Sequence, residues 1–379
     1  MVWQALPSRA DVVIVGAGFA GAAAAYALTR AGDLDVVVLE TEAVAGVHAS
    51  GRNAALAYSF ILEPQVRALA RRGRAFLASP PADFPALLDN RWVGSVTLVE
   101  GAGAEEYAAH ADALRAESIP LDRWSAARTV ERLPLLGDLN EGFGYFCPED
   151  GVIDIDGLLQ GYLRAARRGG AKICFRTRAE ALDVAGDRVL GLQTSAGFIR
   201  APRVLLAGGP WANELAVAAG LAPLPLRPCR RHLAVVAGKE LTIDPDWPFA
   251  WHPGKGFYFR PESGGLLVCA CDVEELPPGD VGPDQEAVSA LAERALELLP
   301  GVAGGHIRRA WAGLRTLTPD DQFVVGPDPR LEGLFWVAGL GGHGMTTSPA
   351  VGELINELVR GTETRWIDPA ALSPARFWE

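Results

Sequence analysis

The sequence contains little cysteine, and none of it lies in a CxxC pattern. Five cysteines occur in 379 residues. An odd number without that spacing argues against a disulfide framework and against a zinc site, so we expect no metal. Cys269 and Cys271 lie two residues apart on one face of a predicted strand. We interpret them as small core residues, since free cysteine is readily buried.

The sequence also lacks an excess of positive charge. Lysine and arginine number 35 against 46 aspartates and glutamates, which gives a net charge of −11. Nucleic acids and anionic lipid surfaces are bound by basic patches. The composition therefore excludes both as expected partners.

No segment is predicted to cross a membrane or to direct export. One uncharged stretch, 12–28, falls just short of the ~18 residues that suggest a span, and glycines interrupt it. No basic region precedes an apolar one at the N-terminus. We expect a cytoplasmic protein without a membrane span.

A glycine fingerprint lies near the N-terminus. Residues 11–40 read as a buried strand, a turn, an alanine-rich helix and a second strand. Gly16, Gly18 and Gly21 occupy that turn in GxGxxG spacing, which brings a pyrophosphate to the helix N-terminus. Glu40 ends the second strand, where an acid accepts from ribose hydroxyls and disfavours NADP. The pattern predicts FAD or NAD, although a tight turn in an ordinary α/β protein would share it.

Four further segments resemble the D-amino-acid oxidase superfamily of flavoenzymes. They are HASGRN (48–53), PRVLLAGGPWA (202–212), GLRTLTPD (313–320) and GLGGHG (339–344). The resemblance covers nearly the whole chain in the right order. Within the superfamily, the stretches 64–69, 159–164 and 311–315 are most similar to the bacterial D-arginine dehydrogenases.

The resemblance implies an α/β fold with two discontinuous domains. Residues 1–85, 150–215 and 306–379 would form a doubly wound, glutathione-reductase-like FAD-binding domain. Residues 86–149 and 216–305 would form a substrate domain of D-amino-acid oxidase type, a mixed β-sheet with helices.

FAD is implied as a non-covalent cofactor. Some relatives attach the flavin through a cysteine close to the TPD element, but no cysteine lies between 272 and 379. The positions that the resemblance assigns to flavin contacts are Gly16, Gly18, Gly21, Glu40, Ser50, Arg52, Asn53, Ala181, Gly208, Gly342 and Thr346.

Three residues are expected to hold a substrate carboxylate. The resemblance assigns Arg315 and Tyr258 to it, together with Arg231, and guanidinium groups bind carboxylates in bidentate fashion. Each residue could instead have a purely structural role. Arg315 could form a structural ion pair, Tyr258 could belong to the core, and Arg231 or its neighbour Arg230 could lie on a solvated strand edge. His343 either balances charge at the flavin or is simply held by backbone bonds.

The side-chain pocket departs from the D-arginine dehydrogenases. Their substrate-binding acid, lid tyrosine and histidine fall on Ser95, Ile61 and Leu56. Burying a guanidinium without a partner is costly, whereas an apolar side chain is stabilised there. A neutral or apolar side chain is therefore expected, unless Glu63 swings inward as a replacement acid.

The resulting hypothesis is an FAD-dependent D-amino-acid dehydrogenase or oxidase acting on a small-molecule amino acid. Hydride transfer to flavin N5 would give an imino acid, which hydrolyses to a 2-keto acid and ammonia. Alternatives are a secondary amine, a glycine-, sarcosine- or proline-like substrate, a 2-hydroxy acid, or a non-catalytic flavoprotein subunit. The sequence leaves the electron acceptor open between oxygen and a quinone-type acceptor.

Overall fold

The computed structural model describes residues 6–137, 139 and 142–378, apart from the side chain of Ala102. The helices in these residues are α1 (Phe19–Thr29), α2 (Pro64–Ala78), α3 (Ala104–Ala116), α4 (Ala126–Arg132), α5 (Ile155–Arg168), α6 (Ala212–Ala218), α7 (Gln285–Leu298) and α8 (Gly344–Arg360). Among the described helices, none has the length and apolar character needed to cross a bilayer.

The strands are interspersed with these helices along the chain. They are β1 (Val12–Val15), β2 (Val36–Leu39), β3 (Leu56–Ala57), β4 (Ser95–Val99), β5 (Asp122–Ser125), β6 (Phe143–Cys147), β7 (Gly151–Val152), β8 (Lys172–Cys174), β9 (Ala179–Ala185), β10 (Arg188–Thr194), β11 (Gly197–Arg200), β12 (Val204–Leu206), β13 (Arg227–Ala237), β14 (Phe249–His252), β15 (Phe257–Glu262), β16 (Gly265–Cys269), β17 (Glu274–Glu275), β18 (His306–Leu317), β19 (Val324–Pro327) and β20 (Leu334–Ala338).

A six-stranded sheet with the order β19-β20-β12-β1-β2-β8 carries the glycine fingerprint. Its strands are parallel except for β19 at one edge. The strands are runs of apolar residues because both faces are covered. Helices α1, α2, α5 and α8 form the core on one face, and the three-stranded sheet β9–β11 with α6 lies on the other. This is the doubly wound α/β fold expected from the sequence.

A second, nine-stranded sheet follows the order β17-β13-β16-β15-β14-β4-β6-β5, and β18 pairs with the outer side of β13. The sheet is mixed, since β4 and β14 are parallel while their neighbours are antiparallel. Successive side chains of each strand alternate between its two faces. One face packs on α7 in a closed core, and the opposite face is turned toward the six-stranded sheet.

Strand β18 departs from the predicted domain division. We expected 306–379 to belong with the FAD-binding segments, but residues 306–317 pair with β13 along its length. These residues therefore belong structurally to the nine-stranded sheet. After β18, the chain returns to the six-stranded sheet at β19. The remainder of the division stays a prediction.

Close helix packing near the cavity depends on Gly73 of α2. A methyl group at this position would lie 1.9 Å from the carbonyl oxygen of Thr346, in the first turn of α8. Neither helix can yield locally, because the obstructing atom belongs to the backbone. The two helices are thus held closer than any other residue at position 73 allows.

We predict that Gly73→Ala lowers the free energy of unfolding by about 1–3 kcal/mol, the usual cost of overpacking a well-packed interior. Gly282→Ala is the matched control, since a methyl group there meets nothing within 4 Å. Urea unfolding monitored by fluorescence gives both values. Equal midpoints for the two variants would contradict the packing argument.

Candidate active site

One cavity of about 1020 Å³ runs from the β1–α1 turn to the face of the nine-stranded sheet. It is lined by three loops that carry the sequence motifs, at 46–56, 206–212 and 339–345. The cavity therefore joins the dinucleotide fingerprint to the sheet that carries the predicted substrate residues.

The first end of the cavity is built around the N-terminus of α1. Gly16 has a φ of +105°, and a methyl group there would lie 2.6 Å from the carbonyl oxygen of Ala207, so only glycine fits. The N–H of Phe19 donates to Ser50 Oγ at 3.0 Å. Together with the cavity-lining Gly18, this end offers backbone donors and a positive helix dipole to a pyrophosphate.

Glu40 also lines this end of the cavity. Its carboxylate accepts from the N–H groups of Ala17 and Glu42, each at 2.9 Å. Two backbone donors hold the side chain in one position at the carboxyl end of β2. The remaining lone pairs could accept from ribose hydroxyls, and this role of Glu40 stays a prediction.

Arg52 and Asn53 fix the loop that follows. Arg52 donates to the carbonyls of Val47 and Val281 at 2.9 Å each and to Asp280 at 2.7 Å. Asn53 donates to the carbonyl of Ser50 at 2.7 Å. Both side chains line the cavity while bonding to protein. Arg52 thereby links the 46–56 loop to the 276–284 loop, which connects β17 of the nine-stranded sheet to α7.

Gly208 and Gly342 line the cavity as well, but Gly21 and Thr346 do not. A methyl group at Gly21 would lie 1.9 Å from the carbonyl oxygen of Gly16, so its role is close helix–strand packing. The hydroxyl of Thr346 donates to the carbonyl of Leu56 at 3.1 Å. These two residues lie outside the cavity lining and hold the elements that form it in place.

The structure also corrects the position expected at Ala181. This residue lies inside β9, where it pairs with Gln193 of β10, and it is not part of the cavity lining. Arg178 and Ala179 line the cavity instead. The cavity wall ends where the β9–β10 ladder begins, which sequence spacing alone did not show.

The nine-stranded sheet brings Arg231, Arg315 and Tyr258 to one wall of the cavity. In the antiparallel pairing of β13 with β18, Arg231 lies opposite Gly313 and Cys229 opposite Arg315. Residues two apart share a face, so the two arginines are diagonal neighbours on it. Tyr258 reaches the same wall from β15.

Neither guanidinium group forms an ion pair with a carboxylate among the described residues. Within the described part of the chain, no carboxylate lies within 4.0 Å of Arg231 or Arg315. Arg231 is 8% exposed, and its Nε has no hydrogen-bond partner. Arg230, by contrast, points to the other face and donates to Glu274 at 3.0 Å. A buried, unpaired cation is costly, so the wall is complementary to an anion.

Two neighbouring groups are uncharged. Burial raises the pKa of Tyr258 well above its usual value, and the charge of Arg315 offsets this only in part, so the phenol keeps its proton and can donate. Burial, and then the charge of Arg315, lower the pKa of His343 to about 4. A neutral imidazole cannot supply positive charge at the flavin, which argues against that expected role.

The far part of the cavity is apolar and aromatic. Leu56 and Ile61 line it as expected. Trp251 on β14 is three strands from Arg231 on β13, which corresponds to about 14 Å at the usual strand spacing. The other residues of this wall, which sequence reasoning did not identify, are Tyr58, Phe60, Leu62, Tyr107 and Phe249.

Ser95 does not line the cavity, contrary to expectation. It is fully buried, and its hydroxyl donates to Asp150 at 2.6 Å. Asp150 also accepts from the hydroxyl and the N–H of Ser59, the latter at 3.1 Å. Ser95 is on the correct face of β4, but Asp150 covers it. Asp150 follows β6 in a turn, and no local sequence signal identified it.

Asp150 joins the sheet to the segment 58–62 that lines the cavity. Its carboxyl is fully buried, and this burial raises its pKa to about 6, although hydrogen bonds from Ser59 and Ser95 lower it in part. The native state therefore binds this proton more tightly than the unfolded chain does. The associated stabilisation is complete below pH ~4 and is lost as pH rises through about 6.

We predict that Asp150→Asn removes this pH dependence. The difference in unfolding free energy between wild type and variant should change by about 3 kcal/mol between pH 4 and pH 8, following the size of the pKa shift. Denaturant unfolding across that range measures it. Glu149→Gln is the control, because Glu149 is half-exposed and pairs with Arg74 at the surface. A pH-independent difference would show that Asp150 has an ordinary pKa.

Comparison with known proteins agrees with this architecture. A family model described as "FAD dependent oxidoreductase" (DAO) matches residues 11–358. A glycine oxidase from Pseudomonas aeruginosa PAO1 is 31% identical over 96% of this chain and 98% of its own length. A 4-methylaminobutanoate oxidase (formaldehyde-forming) from Paenarthrobacter nicotinovorans is 27% identical over 98% of this chain, which spans 46% of that protein. The crystal structure of an L-proline dehydrogenase from P. horikoshii superimposes with a TM-score of 0.88 at 22% identity, covering 98% and 99% of the two chains.

Proposed function

The chain belongs to the DAO family of FAD-dependent oxidoreductases, and from this premise we propose that it oxidises a free D-amino acid with a neutral, largely apolar side chain. FAD is the family's cofactor, and its substrates are amines and amino acids. The D configuration and the side-chain preference are the parts that we propose.

The residues present fit FAD. The N-terminus of α1 meets Gly16 and Gly18 at one end of the cavity, and Glu40 is held beside them for a ribose. When bound, the flavin accepts the hydride that leaves the substrate. The protein's own task is to exclude water and to hold the substrate in one orientation.

The observation that carries the proposal is the pair of unpaired guanidinium groups. Arg231 and Arg315 share one face of the sheet, and the neutral phenol of Tyr258 lies on the same wall. A substrate α-carboxylate pairs with the buried Arg231 and the half-buried Arg315 and accepts from the phenol at once. An amine without an acidic group would leave both charges uncompensated.

The apolar part of the cavity supports a neutral side chain. Asp150, the acid that covers Ser95, is fully buried and does not line the cavity, and this wall is formed by aromatic and aliphatic side chains. Asp280, an acid of the lining, is already bonded to Arg52. Glu63 also lines the cavity and is partly exposed, which makes it the position from which a cationic side chain could still be bound.

A second candidate is a small or secondary amine that carries a carboxylate. The names of the glycine oxidase and of the 4-methylaminobutanoate oxidase favour it. Anaerobic mixing of the holoenzyme with D- and L-amino acids, glycine and sarcosine distinguishes the candidates by loss of the oxidised flavin spectrum. Readmission of air, compared with addition of a quinone, then tests the electron acceptor.

We predict that Arg231→Met and Arg315→Met each raise KM steeply with little loss of bound FAD. Removing one partner of a buried charge pair costs about 2–5 kcal/mol, which corresponds to a KM increase of roughly 30-fold or more. Arg230→Met is the matched control, since its side chain lies on the opposite face of the same strand. Steady-state kinetics on FAD-loaded protein decides the matter. A wild-type KM in Arg231→Met or Arg315→Met would refute the carboxylate assignment.

We also predict a higher kcat/KM for D-leucine, D-methionine or D-phenylalanine than for D-arginine. The physical reason is the cost of removing a guanidinium from water without a partner. A tenfold advantage for D-arginine, equivalent to about 1.4 kcal/mol, would overturn the preference. Loss of that advantage in Glu63→Gln would identify Glu63 as the acid responsible.

A further inference from the structure

Two thiols form part of the cavity wall beside Arg231. Cys271 lines the cavity, and Cys269 lies behind it with no exposure to solvent. The N–H of Cys271 donates to Cys269 Sγ at 3.4 Å. Strand β16 ends at Cys269, and Cys271 has a φ of +53°, a left-handed conformation uncommon outside glycine. The chain therefore turns sharply between the two sulfurs.

The backbone geometry is compatible with a bond between them. Residues two apart have Cα atoms at most about 6.6–7 Å apart, and a turn between them shortens this separation into the roughly 4.4–6.8 Å range of disulfides. The turn at Cys271 brings its backbone N–H onto the sulfur of Cys269, which shows that the chain already folds back toward it.

The electrostatic surroundings favour a thiolate in this pair. Burial opposes ionisation of Cys269, but a hydrogen bond from the Cys271 thiol and the charges of Arg231 and Arg315 outweigh it and lower the pKa of Cys269. The same thiol–thiol hydrogen bond raises the pKa of Cys271. The pair therefore favours a shared proton, with the thiolate on Cys269 and the thiol on Cys271.

The other three cysteines provide internal references. Cys147, Cys174 and Cys229 are buried, and burial raises the pKa of each thiol. None of the three lines the cavity. These three cysteines experience the same solvent and redox conditions as the pair. They differ from it because none is reached from the cavity and none has a lowered pKa.

We propose that Cys269 and Cys271 form a site of reversible oxidation by hydroperoxides, at which the two thiols close to a disulfide. When the hydrogen-bonded sulfurs exchange their proton, the cavity-lining sulfur of Cys271 carries the negative charge and attacks one oxygen of hydrogen peroxide; with one proton the products are a sulfenic acid at Cys271 and water. The second thiol then attacks the sulfenic sulfur, forming the S–S bond and releasing a second water. Two electrons pass from the thiols to the peroxide, and a dithiol returns them by exchange.

The pair protects the cavity from a permanent negative charge. A single thiolate that meets excess peroxide continues from sulfenic to sulfinic acid, which thiols do not reduce. A sulfinate at Cys271 would lie beside Arg231 and compete for its guanidinium. With Cys269 adjacent, oxidation stops at the disulfide. Where oxygen is the electron acceptor, peroxide is formed in this same cavity.

The direct test is peptide mapping of FAD-loaded enzyme after a brief treatment with hydrogen peroxide and alkylation of the remaining thiols. The expected product is a Cys269–Cys271 cross-link that dithiothreitol removes, with Cys147, Cys174 and Cys229 alkylated as free thiols. A pair that remains alkylatable, or sulfinic acid at Cys271 in the wild type, would overturn the proposal. This readout requires no turnover, so it stands apart from the substrate assignment.

Variants give a second, functional test. After peroxide and then dithiothreitol, wild type and the control Cys229→Ser should recover nearly all of their own untreated activity. Cys269→Ser, which retains the cavity thiol alone, should lose at least half of its activity and not recover it. Full recovery in Cys269→Ser would show that Cys269 does not resolve the oxidised cysteine. If Cys269→Ser fails to fold, the wild-type mapping decides.

Discussion

The site depends on the buried positive charge of Arg231 and Arg315. Removing a guanidinium from water costs several kcal/mol, and these two have no carboxylate partner in the described chain. The register of β13 against β18 places both on the cavity face and sends Arg230 to the opposite face. A slip of one residue in β13 would turn Arg231 away from the cavity and break its diagonal arrangement with Arg315. The proposed recognition of a substrate carboxylate therefore depends on strand pairing.

The same two charges set the ionisation of their neighbours. The charge of Arg315 offsets in part the rise that burial imposes on the pKa of Tyr258 and contributes to the lowered pKa of His343, and both arginines lower the pKa of Cys269. The wall thus presents cations and neutral donors to an incoming anion. A positively charged substrate side chain would be repelled by these arginines, and the apolar wall opposite offers it little to offset that repulsion.

Local patterns in the sequence predicted the elements that are local in the structure. The GxGxxG turn is one continuous segment, and the family motifs that carry Arg315 and Tyr258 lie on single strands, so both were found. Ser95 was misplaced because its cover, Asp150, is distant in sequence and lies in an unremarkable turn. Cys271 was taken for a core residue, since strand periodicity does not show where a strand ends. Tyr107 and Trp251 converge on the cavity only through tertiary packing.

The proposed recognition of the carboxylate and the proposed selection of the side chain rest on different parts of the molecule. The arginines belong to the continuous ladder of β13 and β18, whereas the segment 58–62 is attached to the sheet through Ser59 and Asp150. When Asp150 gains a proton, one hydrogen bond reverses its direction, because a serine hydroxyl can donate or accept. The contacts that position the segment persist while the free energy of the fold changes. The shape of the side-chain pocket is therefore expected to vary less with pH than the stability of the protein does.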